Sequence, residues 1–183
     1  DATSGMASPC SAAATVACNF GKSSASEGAS VQISSGQACD AAGNCANAIN
    51  AGPYKIDATA PGISASPDRP ADQAGWYNHS LTVTFNGNDS GSGLASCTSP
   101  TAYSGPDTTS GSIPGTCTDN AGNTASTSFT FQYDATNPVL SLRPAGDGCT
   151  LAGSNGWCRG TQTAGFTSTD ATSGMASPCT AAA

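Results

Sequence analysis

The chain repeats its own beginning close to its end. Residues 1–14 read DATSGMASPCSAAA and residues 170–183 read DATSGMASPCTAAA, so the two stretches differ only where Ser11 becomes Thr180. A match of this length does not arise by chance, and its offset of 169 residues indicates a tandem array of repeated units. We therefore expect this chain to be a window on such an array, starting inside one unit and stopping inside the next copy.

Shorter motifs divide the repeat into two modules. D-x-x-SG-x-AS occurs at 1–8, 89–96 and 170–177, D-x-AGN at 40–44 and 119–123, DAT-x-P at 57–61 and 134–138, and GW at 75–76 and 156–157. The motifs follow one another in the same order on each pass. This order predicts the C-terminal part of a longer module at 1–56, a complete shorter module at 57–133, and the N-terminal part of the next longer module at 134–183.

The local patterns of the chain are those of short β-strands. Residues 80–87, SLTVTFNG, and 126–133, STSFTFQY, alternate apolar and polar side chains, as half-buried strands do. Residues 61–67, 30–35 and 48–56 give further strands, and we expect Pro114 to weaken the strand in GSIPGTCT. Strong helix formers are scarce, and Asn, Asp and Gly mark the turns. The sequence predicts an all-β chain built as antiparallel sandwiches.

These motifs together resemble a known group of repeats. The run GWYN, LTVTF, D-x-x-SGLASC, GTCTDNAGNTAS and F-x-YDATNP is similar to the bacterial immunoglobulin-like repeats, the Big and HYR-like group, of large secreted and surface proteins. The resemblance implies tandem immunoglobulin-like β-sandwich modules, joined by short proline-containing linkers, in an extracellular, non-enzymatic polypeptide. The cysteine-rich longer module departs from that pattern.

Cysteine spacing indicates disulfides. The chain has nine Cys, no CxxC pair and one His, which favours the disulfide framework of a secreted protein over zinc. The complete module contains two cysteines, Cys97 and Cys117, which can pair only with each other if each module is a closed unit. In the longer module the pairings we favour are Cys39–Cys45, Cys149–Cys158 and Cys10–Cys18, while Cys10–Cys39 with Cys18–Cys45 remains an alternative. Cys179 has no partner in either scheme.

The residues suited to chemistry are few, and we expect no catalytic residue. The single His, His79, has no G-x-S-x-G motif near it, and the Asp residues lie mainly in turns. Four of these Asp residues, at the predicted module ends, are candidate ligands for calcium: Asp40, Asp57, Asp119 and Asp134. Some repeats of the group that the chain resembles place calcium at such junctions. The alternative is that these side chains cap their own turns.

Composition and charge limit the partners. Five Lys and Arg against twelve Asp and Glu give a net charge of −7, which argues against nucleic acid and anionic membrane surfaces as partners. No apolar run approaches the roughly 18–20 residues of a membrane span.

The sequence therefore predicts a structural section of a long extracellular or cell-surface fibre, with adjacent repeats of the same chain as its partners. Two alternatives remain. One is an adhesin that binds a glycan or host surface through Trp76, Tyr77 or the longer module's loops, although such aromatic residues also pack at the edges of modules. The other is a filament or sheath of several chains.

Overall fold

A computed structural model describes residues 21–142, 154–160 and 164–176 of the chain. Within these ranges the protein is all-β, as predicted, and contains no helix. Thirteen strands are described: β1 Gly28–Ser34, β2 Ala38–Cys39, β3 Cys45–Ala46, β4 Asn50–Ile56, β5 Gly62–Pro67, β6 Trp76–Tyr77, β7 Leu81–Asn88, β8 Leu94–Cys97, β9 Thr101–Tyr103, β10 Thr108–Asp119, β11 Thr124–Tyr133, β12 Val139–Leu142 and β13 Phe166–Thr169.

The strands form five sheets. The two larger ones have the orders β5-β7-β9 and β6-β11-β10-β8, and the three small ones are the antiparallel pairs β1-β4, β2-β3 and β12-β13. Both larger sheets are built from strands of residues 57–133 alone. No helix in the described ranges reaches the length and apolarity that crossing a membrane requires.

The chain divides into two compact units, which do not follow the sequence repeat. Unit 1 comprises Asp1–Ser64, Asn86–Thr98 and Thr116–Ser126, and unit 2 comprises Ala65–Phe85, Ser99–Gly115 and Thr127–Ala183. Each unit thus takes part of residues 57–133 together with the DAT-x-P segment at one end of them.

Unit 1 contains a disulfide with one buried and one half-buried cysteine, Cys117 and Cys97. Cys97 and Cys117 are directly paired across β8 and β10, with their Cα atoms 4.0 Å apart, and Cys117 is fully buried. The neighbouring residue of β7 is Gly87, where an added Cβ would lie only 2.7 Å from Cys97 Sγ. The bond therefore fills space that other cores give to apolar side chains.

Unit 2 has an aromatic and aliphatic core. The alternation predicted for β7 is present, because Leu81, Val83 and Phe85 are buried while the residues between them are more exposed. From β11, Phe131 packs edge-to-face against Tyr77 and Tyr103, with ring centroids 6.4 Å and 4.7 Å apart. Of the eight buried apolar residues in the described ranges, all except Cys117 belong to unit 2.

Strand β10 continues through Pro114 without interruption, although the sequence predicted a weakened strand there. Strand β8 pairs only with residues Cys117–Asp119 of β10. Pro114 therefore lies beyond the end of that pairing, where a missing N–H costs the sheet nothing on that side.

Candidate functional site: the DAT-x-P segments

The first DAT-x-P segment is attached to residues on both sides of it in the chain. The Asp57 carboxylate accepts hydrogen bonds from the N–H of Thr59 (3.1 Å) and from the N–H of Ser92 (2.6 Å), which lies in the loop between β7 and β8. The Asn123 side chain donates from Nδ2 to the carbonyl oxygens of Asp57 (3.1 Å) and Thr59 (3.3 Å). Two loops of residues 57–133 therefore hold the start of this segment.

A residue preceding the segment holds its other side. Glu27, immediately before β1, accepts from the N–H of Ala58 (3.0 Å) and from Thr59 Oγ1 (2.9 Å). Asp57, Ala58 and Thr59 thus each have a role, since Asp accepts, Ala supplies an N–H and Thr supplies a hydroxyl. The hydrogen bonds therefore account for D and T of the motif, whereas the N–H of Ala58 is one that any residue except proline would supply.

The second DAT-x-P segment repeats this arrangement within unit 2. Asp134 Oδ2 accepts from the N–H of Ser173 (3.0 Å), and its Oδ1 from the N–H of Thr136 (3.0 Å). Asp107, immediately before β10, takes the place of Glu27 by accepting from the N–H of Ala135 (2.9 Å) and from Thr136 Oγ1. Each segment is therefore held by an acid that precedes it and by the N–H of the Ser in D-x-x-SG, whereas the contact with Asn123 is described for the first segment only.

The electrostatics of the two Asp residues match as well. Hydrogen bonding to Ser92 holds the pKa of Asp57 below its ordinary value, and hydrogen bonding to Ser173 does the same for the pKa of Asp134. Both side chains are therefore in the charged form over the whole neutral range.

The D-x-AGN motifs form two equivalent turns. Asp119 Oδ1 accepts from the N–H groups of Ala121 (2.9 Å) and Asn123 (2.8 Å), and Asp40 Oδ1 accepts from those of Ala42 (3.0 Å) and Asn44 (2.8 Å). In both turns the Asn side chain also donates to the other carboxylate oxygen. Turn capping by Asp, one of the two predicted roles, is present at both positions.

Three carboxylates converge in unit 1. Asp57, Asp89 and Asp119 each have an oxygen within 4.8 Å of the others, and Asp119 is buried. Asp57 and Asp119 were predicted as calcium ligands, whereas Asp89 was not. The set suits a hard cation, because a carboxylate that accepts two or three hydrogen bonds still has lone pairs for a metal. The other two predicted ligands lie elsewhere: Asp134 is beside Asp170, with Ser173 N–H donating to both, and Asp40 caps its turn.

The predicted disulfide residues that the structure describes are all bonded. Cys97 is joined to Cys117 and Cys39 to Cys45, each pair directly opposite in a ladder, and Cys158 is also disulfide-bonded. Cys10, Cys18, Cys149 and Cys179 lie outside the described residues.

Tyr77 is buried, Trp76 is half-buried, and His79 belongs to a loop that is bound by Arg69. Tyr77 is only 5% exposed, so it offers no open ring to a glycan, and Trp76 is half-buried.

His79 is exposed, with Nδ1 3.5 Å from Asp72 Oδ1, but both oxygens of Asp72 bind Arg69 at 2.7 and 2.8 Å. The guanidinium lowers the pKa of Asp72 far below its ordinary value. Arg69 also donates to the His79 and Ser80 carbonyls, so the group fixes a loop.

Sequence reasoning missed Glu27, Asp107, Ser92 and Ser173. A signal was present for the two Ser residues, which occupy the same place in D-x-x-SG, whereas the two acids belong to no shared motif. No family model, curated protein or solved structure matches the chain.

Proposed function

We propose that the chain is a section of a long extracellular stalk or fibre built from immunoglobulin-like β-sandwich modules, and that its function is mechanical. The observation that carries this proposal is the attachment of each DAT-x-P segment to residues before and after it. A free linker would let neighbouring modules swing, whereas Glu27, Ser92 and Asn123 together hold the Asp57–Thr59 backbone. A fibre that spans distance needs such fixed linkers.

Two further features support the proposal. Disulfides persist in oxidising surroundings outside the cell, and two bonded pairs in modules with small cores are typical of secreted proteins. The face-to-face contacts of β7 with β10, at Gly87 with Cys117 and at Phe85 with Gly115, are those expected where two sheets pack as a sandwich. We assign no catalytic role to any residue.

Electron microscopy of an extended chain tests the proposal. In a chain of several consecutive 169-residue repeats, each module should contribute about 35–40 Å, so the contour should grow by about 70–80 Å per repeat. Straight rods of constant increment are expected. A flexible string of beads, or a much shorter increment, would contradict the stalk.

A matched pair of variants tests the linker itself. Changing Thr59 and Thr136 to Val removes the two hydroxyl donors without changing side-chain shape and should make the rods bend at the linkers. Changing Thr130 to Val, on an exposed position of β11, is the control and should leave them straight.

A further inference from the structure

Residues 57–133 begin with two strands that belong to different sheets. Strand β5 lies at the edge of the β5-β7-β9 sheet, and β6, the next strand in the chain, lies at the edge of the β6-β11-β10-β8 sheet. Residues 68–75 between them are called the crossing segment below. Strand β5 has a neighbour on one side only and contains no buried residue. Tension from the Asp57 end of the chain can therefore detach β5 first, and the crossing segment is the next part to carry the load.

The strand after the crossing segment is paired so that tension shears it. Strand β6 runs parallel to β11, with Tyr77 opposite Tyr133, and the N–H of Asp134 donates to the Tyr77 carbonyl oxygen at 2.9 Å. The chain enters β6 at its first residue and leaves β11 at its last one, and in a parallel pair these two residues lie at opposite ends. Pulling on them therefore loads the hydrogen bonds together, along the strands. Since β6 has only two residues, this pairing is short.

Arg69 ties the crossing segment to the residues that follow β6. Its guanidinium binds both carboxylate oxygens of Asp72, at 2.7 and 2.8 Å. It also donates to the carbonyl oxygens of His79 (2.6 Å) and Ser80 (3.1 Å). The Asp72 carboxylate accepts from the N–H of Asn78 at 2.8 Å. The two side chains thus join both sides of β6 through hydrogen bonds that have a charged partner, and such bonds are stronger than neutral ones.

Neighbouring contacts strengthen the same connection. The N–H of Asp68 donates to the Thr82 carbonyl oxygen (2.9 Å), and Asp68 Oδ1 accepts from the N–H of Thr82 (3.0 Å). The Arg69 guanidinium lies 5.2 Å from the centre of the Tyr77 ring, within the range of cation–π attraction. Tension that reaches the crossing segment is therefore passed to β7, which begins at the fully buried Leu81, before it reaches the short strand β6.

We propose that Arg69 and Asp72 form a load-bearing latch, which must open before tension can unfold residues 57–133. The inference rests on the proposed stalk function, because a chain that spans distance is pulled from its ends. An Arg suits this latch, since its planar guanidinium binds one carboxylate and two carbonyl oxygens at the same time. The single ammonium of a Lys does not have that geometry.

Single-molecule force spectroscopy of the full chain, held at its two ends with its disulfides intact, tests the proposal. At a fixed force, the unfolding rate of residues 57–133 should rise at least about tenfold in Arg69→Lys, which keeps the charge and loses the planar fork. A variant with Ala at both Cys97 and Cys117 identifies the unfolding step of these residues. That step should lengthen by about 70 Å, because the bond no longer holds back a separation of 20 residues. An unchanged rate in Arg69→Lys overturns the proposal.

Gly115→Ala is the control for a general loss of stability. Its added Cβ would lie 2.3 Å from the Phe85 ring, so it should destabilise the chain in denaturant. The contact between Phe85 and β10 is still intact when the latch opens, and only interactions lost in the transition state change an unfolding rate. The rate of Gly115→Ala under force should therefore change little. If this variant unfolds under force as fast as Arg69→Lys, the latch is not the barrier.

A double-mutant cycle shows whether the two side chains act as a unit. Asp72→Asn removes the charged partner and should accelerate unfolding under force, as Arg69→Lys does. The double variant should unfold little faster than either single variant, because each substitution already opens the same latch. Additive effects would mean that the two residues act independently, which contradicts the latch. Failure of the latch in these measurements leaves the stalk proposal standing if tandem repeats still form straight rods of constant increment.

Discussion

Single residues determine how the DAT-x-P segments are held, and the sequence predicted only part of this. Repetition identified Asp57 and Asp134, because the same letters recur in the same order. It did not identify Glu27 and Asp107, because the motif that they serve begins about 30 residues later and one is Glu where the other is Asp. Hydrogen bonds across such separations depend on how the strands pair, which a local pattern does not encode.

The lowered pKa values of Asp57 and Asp134 predict a loss of stability in acid. A carboxyl group whose pKa is lower in the folded than in the unfolded chain stabilises the fold above its unfolded pKa of about 4. That contribution disappears as the pH falls from about 4 through the lowered folded pKa. The temperature of the unfolding midpoint should therefore decrease as the pH is lowered below about 4. In the Asp57→Asn, Asp134→Asn double variant this temperature should change less steeply with pH. An unchanged slope would show that these two groups are not responsible.

Gly115 is a position where a single added carbon atom should lower the stability of the fold. In Gly115→Ala the new Cβ would lie 2.3 Å from the buried Phe85 ring, so either the ring or β10 must move. We expect a loss of about 1–3 kcal/mol, measured from the denaturant midpoint. Gly62→Ala is the control, since the nearest atom to its Cβ would be 3.5 Å away and little change is expected. Equal effects of the two substitutions would contradict the close packing of β7 on β10.

At the scale of strands and loops, the alternation of apolar and polar residues predicted which strand residues are buried, whereas the turn motifs predicted the turns but only part of the carboxylate cluster. The periods of β7 and β11 gave their buried residues correctly, because each strand packs one face on a core. The D-x-AGN motif predicted a turn and a candidate ligand. It gave no indication that the loop after β7 would add Asp89 to Asp57 and Asp119, because that convergence requires three separate loops to meet.

The three-carboxylate cluster gives a prediction for Asp89→Asn. With a chelator present, this change should slightly raise the unfolding midpoint, because it removes one of three like charges while its side-chain oxygen can still accept the Gly93 N–H. Added Ca²⁺ should raise the midpoint of the original chain and raise that of the variant less. If Ca²⁺ leaves both unchanged, the Asp residues serve the turns and linkers alone.

The two described disulfides should differ in importance. Cys97–Cys117 joins two strands with a separation of 20 residues and includes the fully buried Cys117, whereas Cys39–Cys45 closes a turn with a separation of six residues. Replacing Cys97 and Cys117 by Ala should lower the stability of residues 57–133 by about 3 kcal/mol. The Cys39, Cys45 double variant should leave that region unaffected. Hydrogen exchange of β7, β10 and β11 amides measures both, and similar losses would contradict the assignment.

At the scale of the whole chain, the repeat carries more information than any motif within it. Its offset showed that the stretch at 170–183 is equivalent to 1–14, and this equivalence is what relates the β12-β13 pair to the β1-β4 pair. The exposed fraction of Phe166 could not be predicted from the sequence, because its pattern of residues is that of a buried strand.

A reordered chain tests this interpretation directly. Residues 57–169 followed by residues 1–56 contain every residue of the 169-residue repeat once, but in this order both predicted modules are complete. We expect the β1-β4 residues to cover Phe166, Leu140 and Leu142 in this chain. These strands should also become protected against hydrogen exchange and the Phe166→Ala substitution should become costly, by about 3–5 kcal/mol as for a core aromatic residue. In the original order, where Phe166 is exposed, the same substitution should cost little. Equal costs in the two chains would mean that β1-β4 does not supply the missing half of the core.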